Sequence, residues 1–357
     1  MKHFDLISLI AISLILIIGL TTIKSVAPDL FPYQITFVFL GLLIFVFFSR
    51  LDYEIVNSLL IPLYILTIFF LASPFLFGII SRGAQRWIQI GPIFLQPSEV
   101  IKPILILTFS SMVNKFSRPL DLSQILICLL LYLPLGTLVL IQPDLGSTAV
   151  ITTGVIGCIL AGGIRIKHLI YGITAMLVFA PLLFFAMHDY QRNRLLTFIN
   201  PYRDPLGKGY NSIQSIIAVG SGQLLGRGLG RGTQSHLRFL PENHTDFIFA
   251  SIAEELGFVG SVILLSAYFV LHLRIYKISL LSGNRLGVIL GLGILSLLGL
   301  QTLLNLAMNI GLAPITGVTL PLVSYGGSSL ISTFALLGVV QNIYSSSKLI
   351  PSAITIK

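Results

Sequence analysis

The chain has 357 residues and a formal net charge of +9 at pH 7, and 55% of its residues are hydrophobic whereas only 10% are charged. Soluble globular domains carry about 25% charged residues, so this composition excludes a water-exposed surface over most of the chain. It predicts a membrane protein with a large lipid-facing surface instead. The two cysteines, Cys128 and Cys158, lie inside apolar runs, which favours buried packing over a disulfide or a metal site.

Apolar runs that are long enough to cross a bilayer occur along the whole chain. A hydrocarbon core about 30 Å thick needs about 20 apolar residues in a helix. The first run follows Lys2 and lacks a small-x-small cleavage site, so we expect a retained first helix rather than a signal peptide. The ten predicted helices span residues 5–25, 32–49, 55–80, 98–114, 123–141, 146–163, 168–188, 246–272, 285–310 and 326–346.

These runs predict an all-α polytopic membrane protein that forms a single domain over residues 1–357. Its longest connection is the segment 189–245, between the seventh and eighth predicted helices. The sequence contains no zinc signature and no phosphate-binding glycine loop that follows a strand. We therefore expect neither a separate soluble domain nor a nucleic-acid partner.

Positive charge predicts which way the helices face, because short cytoplasmic loops are enriched in Lys and Arg. If both termini are cytoplasmic, every inner segment contains at least one cation, and eleven of the 22 Lys and Arg residues lie inside. The other eleven are Lys24 and ten residues that lie in the outer segments 81–102 and 189–245. Long loops cross the membrane largely regardless of charge, so this orientation is compatible with a basic segment 189–245.

The outer cations have two interpretations, a solvated basic loop or a site for an anionic substrate. Arginine suits phosphate because its planar guanidinium donates hydrogen bonds in pairs. Under the second interpretation the candidates for binding an anionic group are Arg86, Lys102, Arg192 and Arg194.

Four helices that begin on the outside have unusually polar first residues. These openings are residues 96–99, 142–147, 242–246 and 324–329. Helix N-termini present free backbone N–H groups and a positive dipole end, so four of them beside arginines predict an anion site. The alternative is ordinary capping, for which the suitable residues are Ser98, Ser147, Thr245 and Ser328.

Three further features leave alternatives open. Glu99 and Lys102 are three residues apart on one helix, which permits either a structural ion pair or contact with a substrate. Glu254 and Glu255 point about 100° apart on a helix, so we expect different partners and favour a packing or conformational role over catalysis. The glycines between residues 220 and 232 are compatible with a phosphate cradle or with a flexible lid.

Several motifs resemble those of the SEDS family (shape, elongation, division and sporulation). The most specific is the Phe-Leu-Pro-Glu-Asn-His-Thr-Asp run over residues 239–246. Residues 188–192 and 232–235 resemble the elongation-type RodA branch more closely than the division-type FtsW branch. The matching segments, in family order, are residues 83–88, 96–99, 142–146, 204–210, 213–215, 220–222, 239–249 and 321–329.

The resemblance implies a peptidoglycan glycosyltransferase that polymerises lipid II with inversion and releases undecaprenyl diphosphate. The family's catalytic acidic residue falls on Asp246, which is expected to act as general base. A diphosphate leaves as a stable anion, so one base suffices where glycosidases need two carboxylates. No metal ligands are expected, and a helper divalent cation (Mg²⁺ or Mn²⁺) is left open. The expected substrate-binding residues are Arg86, Glu99, Lys102, Arg192, Arg194, Glu242, His244 and Ser328.

The resemblance also implies partners and a location. The expected partners are a class B penicillin-binding protein with transpeptidase activity and other membrane proteins of the elongation complex. The location is the bacterial cytoplasmic (inner) membrane, with an extracytoplasmic active site. Two other functions are compatible with the sequence. A lipid II flippase would need a polar path through both leaflets, and inverted repeats are not obvious; a non-catalytic scaffold would not require Asp246.

Overall fold

A computed structural model of the chain describes residues 4–81, 84–91, 93–186, 189–237 and 239–347. Helices dominate this part of the chain, and three antiparallel strands form one small sheet. The α-helices within these ranges are α1 (Leu6–Val26), α2 (Phe31–Arg50), α3 (Leu60–Phe77), α4 (Pro97–Asn114), α5 (Leu122–Ile141), α6 (Leu145–Ala161), α7 (Ile166–Ala186), α8 (Asp189–Ile199), α9 (Tyr210–Ser221), α10 (Thr233–His236), α11 (Ile248–Leu280), α12 (Arg285–Asn309) and α13 (Gly327–Ser347).

Every one of the ten predicted membrane helices is present, and the all-α polytopic class is confirmed. The number that cross the membrane, about ten, stays a prediction. Two shorter helical stretches, Leu145–Ala161 and Ile166–Phe179, are also apolar. Among the described residues, the helical spans long and apolar enough to cross a membrane are Leu6–Val26, Pro28–Arg50, Leu60–Phe77, Leu122–Ile141, Ile248–Leu280 and Arg285–Asn309.

The small sheet was not predicted. The third helix was expected over residues 55–80, but it begins at Leu60 and ends at Phe77. The chain continues directly into β1 (Gly78–Ser81), β2 (Ala84–Ile90) and β3 (Ile93–Leu95), which pair in that order. Isoleucine recurs along these strands, and β-branched residues favour extended structure. The sheet carries Arg86 to the end of the bundle where α4 begins.

The centre of the bundle is formed by α4, α6, α12 and α13. Helices α4 and α13 are buried around nearly their whole circumference, and α12 packs closely along α6. Glycines permit this approach, because a Cβ at Gly157 would lie 2.3 Å from the Ser296 Oγ and one at Gly293 would lie 2.4 Å from the Cys158 Sγ. Cys128 and Cys158 are free and buried, as predicted. In contrast, α7 exposes every residue from 169 to 179.

Helix α11 is interrupted at Gly257. This glycine has φ 67° and ψ −163°, so the amides that follow it cannot reach the carbonyls of the preceding turn. The amide of Phe258 donates instead to the carbonyl of Gln223 (2.8 Å), and that of Val259 donates to Leu224 (3.1 Å). The glycine-rich segment 222–232 therefore enters the break in the helix.

The same segment also satisfies the carbonyls on the other side of the break. The amide of Arg227 donates to the carbonyl of Glu254 (2.9 Å), and that of Gly228 donates to Glu255 (3.0 Å). Unsatisfied backbone groups are costly inside a membrane protein, so this exchange is what makes the break tolerable. The prediction of a lid with an exposed backbone was wrong at these residues, because their backbone groups are hydrogen-bonded to α11.

The close approach explains why glycines are needed in this segment. A Cβ at Gly222 would lie 1.8 Å from the carbonyl oxygen of Ala253, and one at Gly226 would lie 2.1 Å from that of Glu255. A Cβ at Gly257 would lie 2.2 Å from the amide nitrogen of Gly226. The obstacles are backbone atoms, which cannot move aside as a flexible side chain can.

We expect Gly226→Ala and Gly257→Ala each to lower the free energy of unfolding by about 2–4 kcal/mol, since both combine a backbone clash with strain at positive φ. Thermal unfolding of the purified protein in detergent measures this effect. Gly220→Ala is the matched control, because a Cβ there meets no atom within 4 Å and the residue is helical. Equal melting temperatures for all three variants and wild type would contradict the described exchange.

Candidate active site at one end of the helix bundle

The N-terminal ends of α4, α6, α11 and α13 meet at one end of the bundle, which we call the site end. The backbone amide of Gln96 donates to the Ser328 Oγ (3.1 Å), and the Gln96 side chain donates to the Asp144 Oδ2 (2.9 Å). The amide of Tyr325 donates to the carbonyl of His244 (2.8 Å). The structure therefore brings together the four polar openings that the sequence placed on one side.

Capping accounts for only part of these openings. Helix α6 is capped by Asp144, whose carboxylate accepts hydrogen bonds from the Ser147 amide (3.0 Å) and hydroxyl (2.8 Å). Helix α4 begins without a side-chain cap. At α11, the amide of Ala250 donates to the Asn309 Oδ1 (3.0 Å) on α12. The expected caps Ser98 and Thr245 do not hold the first amides of their own helices.

Asp246 is half-buried and lies two residues before α11. The side-chain amides of two α12 residues hold its backbone. Its carbonyl accepts hydrogen bonds from the Nδ2 atoms of Asn305 (2.9 Å) and Asn309 (3.1 Å). Asn305 also donates to the carbonyl of Val318 (2.7 Å), so it links the segment before α11 to the loop before α13. The backbone at Asp246 is therefore fixed from the side of α12.

Sequence reasoning missed these α12 residues, although a signal was present. Gln301, Asn305 and Asn309 follow one another at intervals of four, so they share one face of an otherwise apolar helix. Polar side chains in a membrane helix are costly and face the bundle interior or a cavity. Their regular spacing predicts that this face of α12 points into the bundle, although it does not show which residues the face contacts.

The loop before α13 forms the other wall beside Asp246. The Ser324 hydroxyl donates to the carbonyl of Thr245 (2.7 Å). A Cβ at Gly317 would lie 3.6 Å from the Asp246 Oδ2, so this glycine leaves space close to the carboxylate. Any side chain at position 317 would therefore lie against the Asp246 carboxylate.

Glu242 and His244 shape the turn that leads to Asp246. Glu242 adopts φ 56°, and its Oε2 accepts a hydrogen bond from the Thr245 hydroxyl (2.8 Å). The His244 ring lies edge-on to that of Tyr325, with centroids 5.9 Å apart. Burial raises the pKa of Tyr325 above its ordinary value, and the charge interaction with Tyr33 raises it further. Tyr325 therefore stays a neutral phenol near neutral pH.

Glu99 and Lys102 form the structural ion pair that the sequence allowed. The Lys102 Nζ lies 2.5 Å from the Glu99 Oε1 and 3.0 Å from the Gln301 Oε1, and only 1% of Lys102 is exposed. Gln301 in turn donates to the carbonyl of Thr319 (3.1 Å). Lys102 is thus neutralised and enclosed, which suits it poorly to holding a second anion.

The remaining predicted cations lie in two different settings. On β2, the Arg86 Nη1 lies 4.0 Å from the Asp144 Oδ2, so a carboxylate partly balances its charge. On α8, Arg192 is half-buried, and Arg194 donates to the carbonyl of Ile315 (3.1 Å). Arg194 therefore reaches the same loop that contains Gly317.

A cavity of about 400 Å³ opens beside Arg194. It contains a second cation, Lys208, which the sequence-based site did not include. None of the described residues that line it is acidic, so no carboxylate in its wall balances the two cations. The wall is formed by Asn193, Arg194, Thr197, Phe198, Lys208, Asn211, Ser212, Pro314 and Ile315.

Several buried polar atoms at the site end have no hydrogen-bond partner within the described part of the chain. Such atoms in a folded protein are expected to meet water or a ligand. The atoms concerned are the Arg86 Nε, Ser98 Oγ, Glu99 Oε2 and Gln142 Oε1. Within the same described residues, no three His, Cys, Asp or Glu side chains come together as metal ligands, so the structure assigns no ligand set to Mg²⁺ or Mn²⁺.

Residues 2–349 match the family model described as "Cell cycle protein", FtsW/RodA/SpoVE. The chain belongs to this family. The SEDS resemblance seen in the motifs is thereby confirmed, and the match includes all the described residues. Together with the apolar spans, membership makes the chain a multi-span protein of the bacterial inner membrane.

Similarity to individual proteins extends over nearly full length. The chain is 39% identical over 316 residues to the peptidoglycan glycosyltransferase MrdB of Escherichia coli (strain K12), covering 88% of this chain and 85% of MrdB. A chain in a structure of a peptidoglycan synthase complex matches with a TM-score of 0.84 and 33% identity, covering 97% of this chain and 99% of that one. The crystal structure of the rod shape determining protein RodA of Thermus thermophilus matches with a TM-score of 0.71 and 30% identity, covering 96% and 97%.

Proposed function

We propose that this chain is a peptidoglycan glycosyltransferase that polymerises lipid II into glycan strands during cell-wall elongation. The similarity to MrdB and to the rod shape determining protein RodA supports the reaction and the elongation role. The observation that carries the proposal is the setting of Asp246. Its backbone is clamped by Asn305 and Asn309, and Gly317 leaves space beside its carboxylate.

Asp246 acts as general base on the acceptor hydroxyl. It takes the proton from the 4-hydroxyl of the acceptor sugar while that oxygen forms a bond to the anomeric carbon of the donor. The bond from the anomeric carbon to the phosphate oxygen breaks on the opposite face, which inverts the configuration. Undecaprenyl diphosphate leaves with the electron pair and needs no proton, so a single base is sufficient. The clamp on the backbone keeps the carboxylate aligned with the hydroxyl.

The cavity beside Arg194 is the best candidate for binding the diphosphate. Arg194 and Lys208 face it without a carboxylate among the described lining residues, whereas Lys102 is paired with Glu99 and Arg86 lies near Asp144. Unbalanced cations attract a diphosphate and stabilise the charge that develops as it leaves. Arg192 lies on the same helix as Arg194 and stays a proposed substrate contact, although it does not line this cavity.

The disaccharide fits the other part of the site end. Sugar hydroxyls both donate and accept hydrogen bonds, and the unpartnered atoms of Arg86, Ser98, Glu99 and Gln142 offer donors and acceptors for them. Glu242, His244 and Ser328 are also proposed to contact the substrate, as the sequence predicted. Lys102 is better described as a support for Glu99 than as a contact to phosphate.

The site end faces the extracytoplasmic side, and both termini are cytoplasmic. The distribution of Lys and Arg supports this orientation. Single cysteines test it, because the native Cys128 and Cys158 are buried. A membrane-impermeant maleimide should label Asp29→Cys on intact spheroplasts and Asp52→Cys only after lysis; the reverse pattern would overturn the orientation.

The partner is a class B penicillin-binding protein, with other membrane proteins of the elongation complex nearby. A solved relative of this chain belongs to a peptidoglycan synthase complex whose structure concerns polymerization and crosslinking, which supports a division of labour between two proteins. The transpeptidase of the partner would crosslink the strands that this chain polymerises.

We expect Asp246→Asn to lower lipid II polymerisation by about 10²–10⁴-fold, because the amide retains the size of the side chain but cannot accept the proton. The measurement is glycan chain length on lipid II with the purified protein and its partner. Asp29→Asn is the control, since it neutralises an exposed carboxylate between α1 and α2.

Normal polymerisation by Asp246→Asn would show that Asp246 is not the base. If wild type does not polymerise lipid II but moves it across vesicles, the flippase function replaces the proposal. If neither activity is present, yet the chain restores crosslinking by its partner, it is a scaffold.

We expect Arg194→Gln to lower kcat/KM for lipid II by about 10²-fold, because a cation facing the leaving diphosphate is lost. The rate should respond more strongly than with Arg203→Gln, which removes an exposed cation from the same outer segment. A melting temperature measured on each variant separates catalysis from the lost bond to Ile315. Equal effects of the two substitutions would place the diphosphate elsewhere.

A further inference from the structure

Two buried carboxylates have no part in the mechanism described above. Glu254 and Glu255 are 0% and 1% exposed, and they follow Asp246 by about two helical turns. As the helix geometry predicted, they have different partners. Glu255 accepts hydrogen bonds from the Ser25 hydroxyl (2.6 Å) and the Gly230 amide (3.1 Å), and its Oε1 lies 2.9 Å from the Nε2 of His236 at the end of α10. Glu254 binds the residues at the beginning of α10 instead.

Glu254 caps the first turn of α10 from a distance in sequence. Its Oε1 accepts from the Gln234 amide (2.8 Å) and the Thr233 hydroxyl (3.3 Å). Its Oε2 accepts from the Ser235 amide (3.0 Å) and hydroxyl (2.6 Å). The local N-cap residue, Gly232, supplies no side-chain cap, so this carboxylate takes its place.

Helix α10 in turn supports the segment that leads to Asp246. The carbonyl of Gln234 accepts from the Leu240 amide (3.0 Å), and the carbonyl of Ser235 accepts from the Asn243 side chain (2.6 Å). The carbonyl of Asn243 then accepts from the Ser251 hydroxyl (3.0 Å), back on α11. A continuous set of hydrogen bonds therefore runs from Glu254 through α10 to Asn243, three residues before Asp246.

We propose that Glu254 is a positioning residue, which holds the segment 240–246 in place through α10 so that the Asp246 carboxylate keeps its alignment. Asn305 and Asn309 fix the same segment from the side of α12, so it is held on two sides. The catalytic part of this inference rests on the proposed function. A displacement of about 1 Å at a reacting group lowers a rate by about 10²-fold, so loss of one side of the hold has a large effect on turnover.

The test compares Glu254→Gln with wild type on lipid II. Glu254 accepts four hydrogen bonds, all from N–H or O–H groups. In Glu254→Gln an amide NH₂ replaces one carboxylate oxygen, so it would face two of these donors. We expect kcat to fall by about 10- to 100-fold while KM changes by less than about threefold. Hydrogen exchange of the amides of 240–246 should become faster in the same protein. Glu54→Gln is the matched control, since that exposed carboxylate also accepts a hydrogen bond, from Asn284, but is separate from α10.

Ser235→Ala is a second, milder variant, which removes only the hydroxyl bond to Glu254. It should lower kcat by a few fold, and added to Glu254→Gln it should lower kcat no further, because both act through the same contact. If Glu254→Gln does not fold, Ser235→Ala decides the question through kcat and exchange.

Wild-type kcat and wild-type exchange at 240–246 in these variants would overturn the inference, as would additive effects of the two substitutions. The exchange measurement needs no substrate. If wild type fails to polymerise lipid II, the proposed function fails, but faster exchange at 240–246 in Glu254→Gln would still support the structural hold.

Discussion

The structure depends on the exchange of backbone hydrogen bonds at the break in α11. Gly257 interrupts the helix, and the segment 222–232 supplies the carbonyls and amides that the broken turn has lost. Inside a membrane protein, each of those groups would cost several kcal/mol if it stayed unpaired. The exchange therefore holds part of the long connection between α7 and α11 against the bundle. It also places α10 next to Glu254. The segment before α11 is therefore held by α10 through Asn243, in addition to its contacts with α12.

Helix α12 holds the site through three polar residues on one face, Gln301, Asn305 and Asn309, which contact both α4 and the segment before α11. Gln301 reaches the Glu99–Lys102 pair, and Asn305 and Asn309 reach the carbonyl of Asp246. Three amides on one helix face thus relate the ion pair in α4 to the carboxylate before α11. The bundle itself thus holds this part of the chain in a defined position, as the proposed role of Asp246 as a general base requires.

Charge balance separates the cations that appear equivalent in the sequence. Lys102 is enclosed with Glu99, and Arg86 lies near Asp144, whereas Arg194 and Lys208 face an open cavity with no acidic residue among its described lining. A diphosphate is attracted by a cation only to the extent that no neighbouring carboxylate already compensates it. The proposed division of the site, with sugars near α4 and diphosphate near α8, follows from this difference.

The sequence by itself determined the class and nearly all helix positions, because a bilayer demands about 20 apolar residues for each span and the chain meets that demand repeatedly. It also marked Asp246 through a specific motif, and it grouped the four polar helix openings on one side. Only the tertiary structure decided what holds Asp246, which cations are neutralised, and why the glycines between 220 and 232 are there. Those properties arise from contacts between residues far apart in the chain, such as Gly226 with Glu255 and Asn305 with Asp246. Local periodicity and composition contain no information about such contacts until the helices are packed.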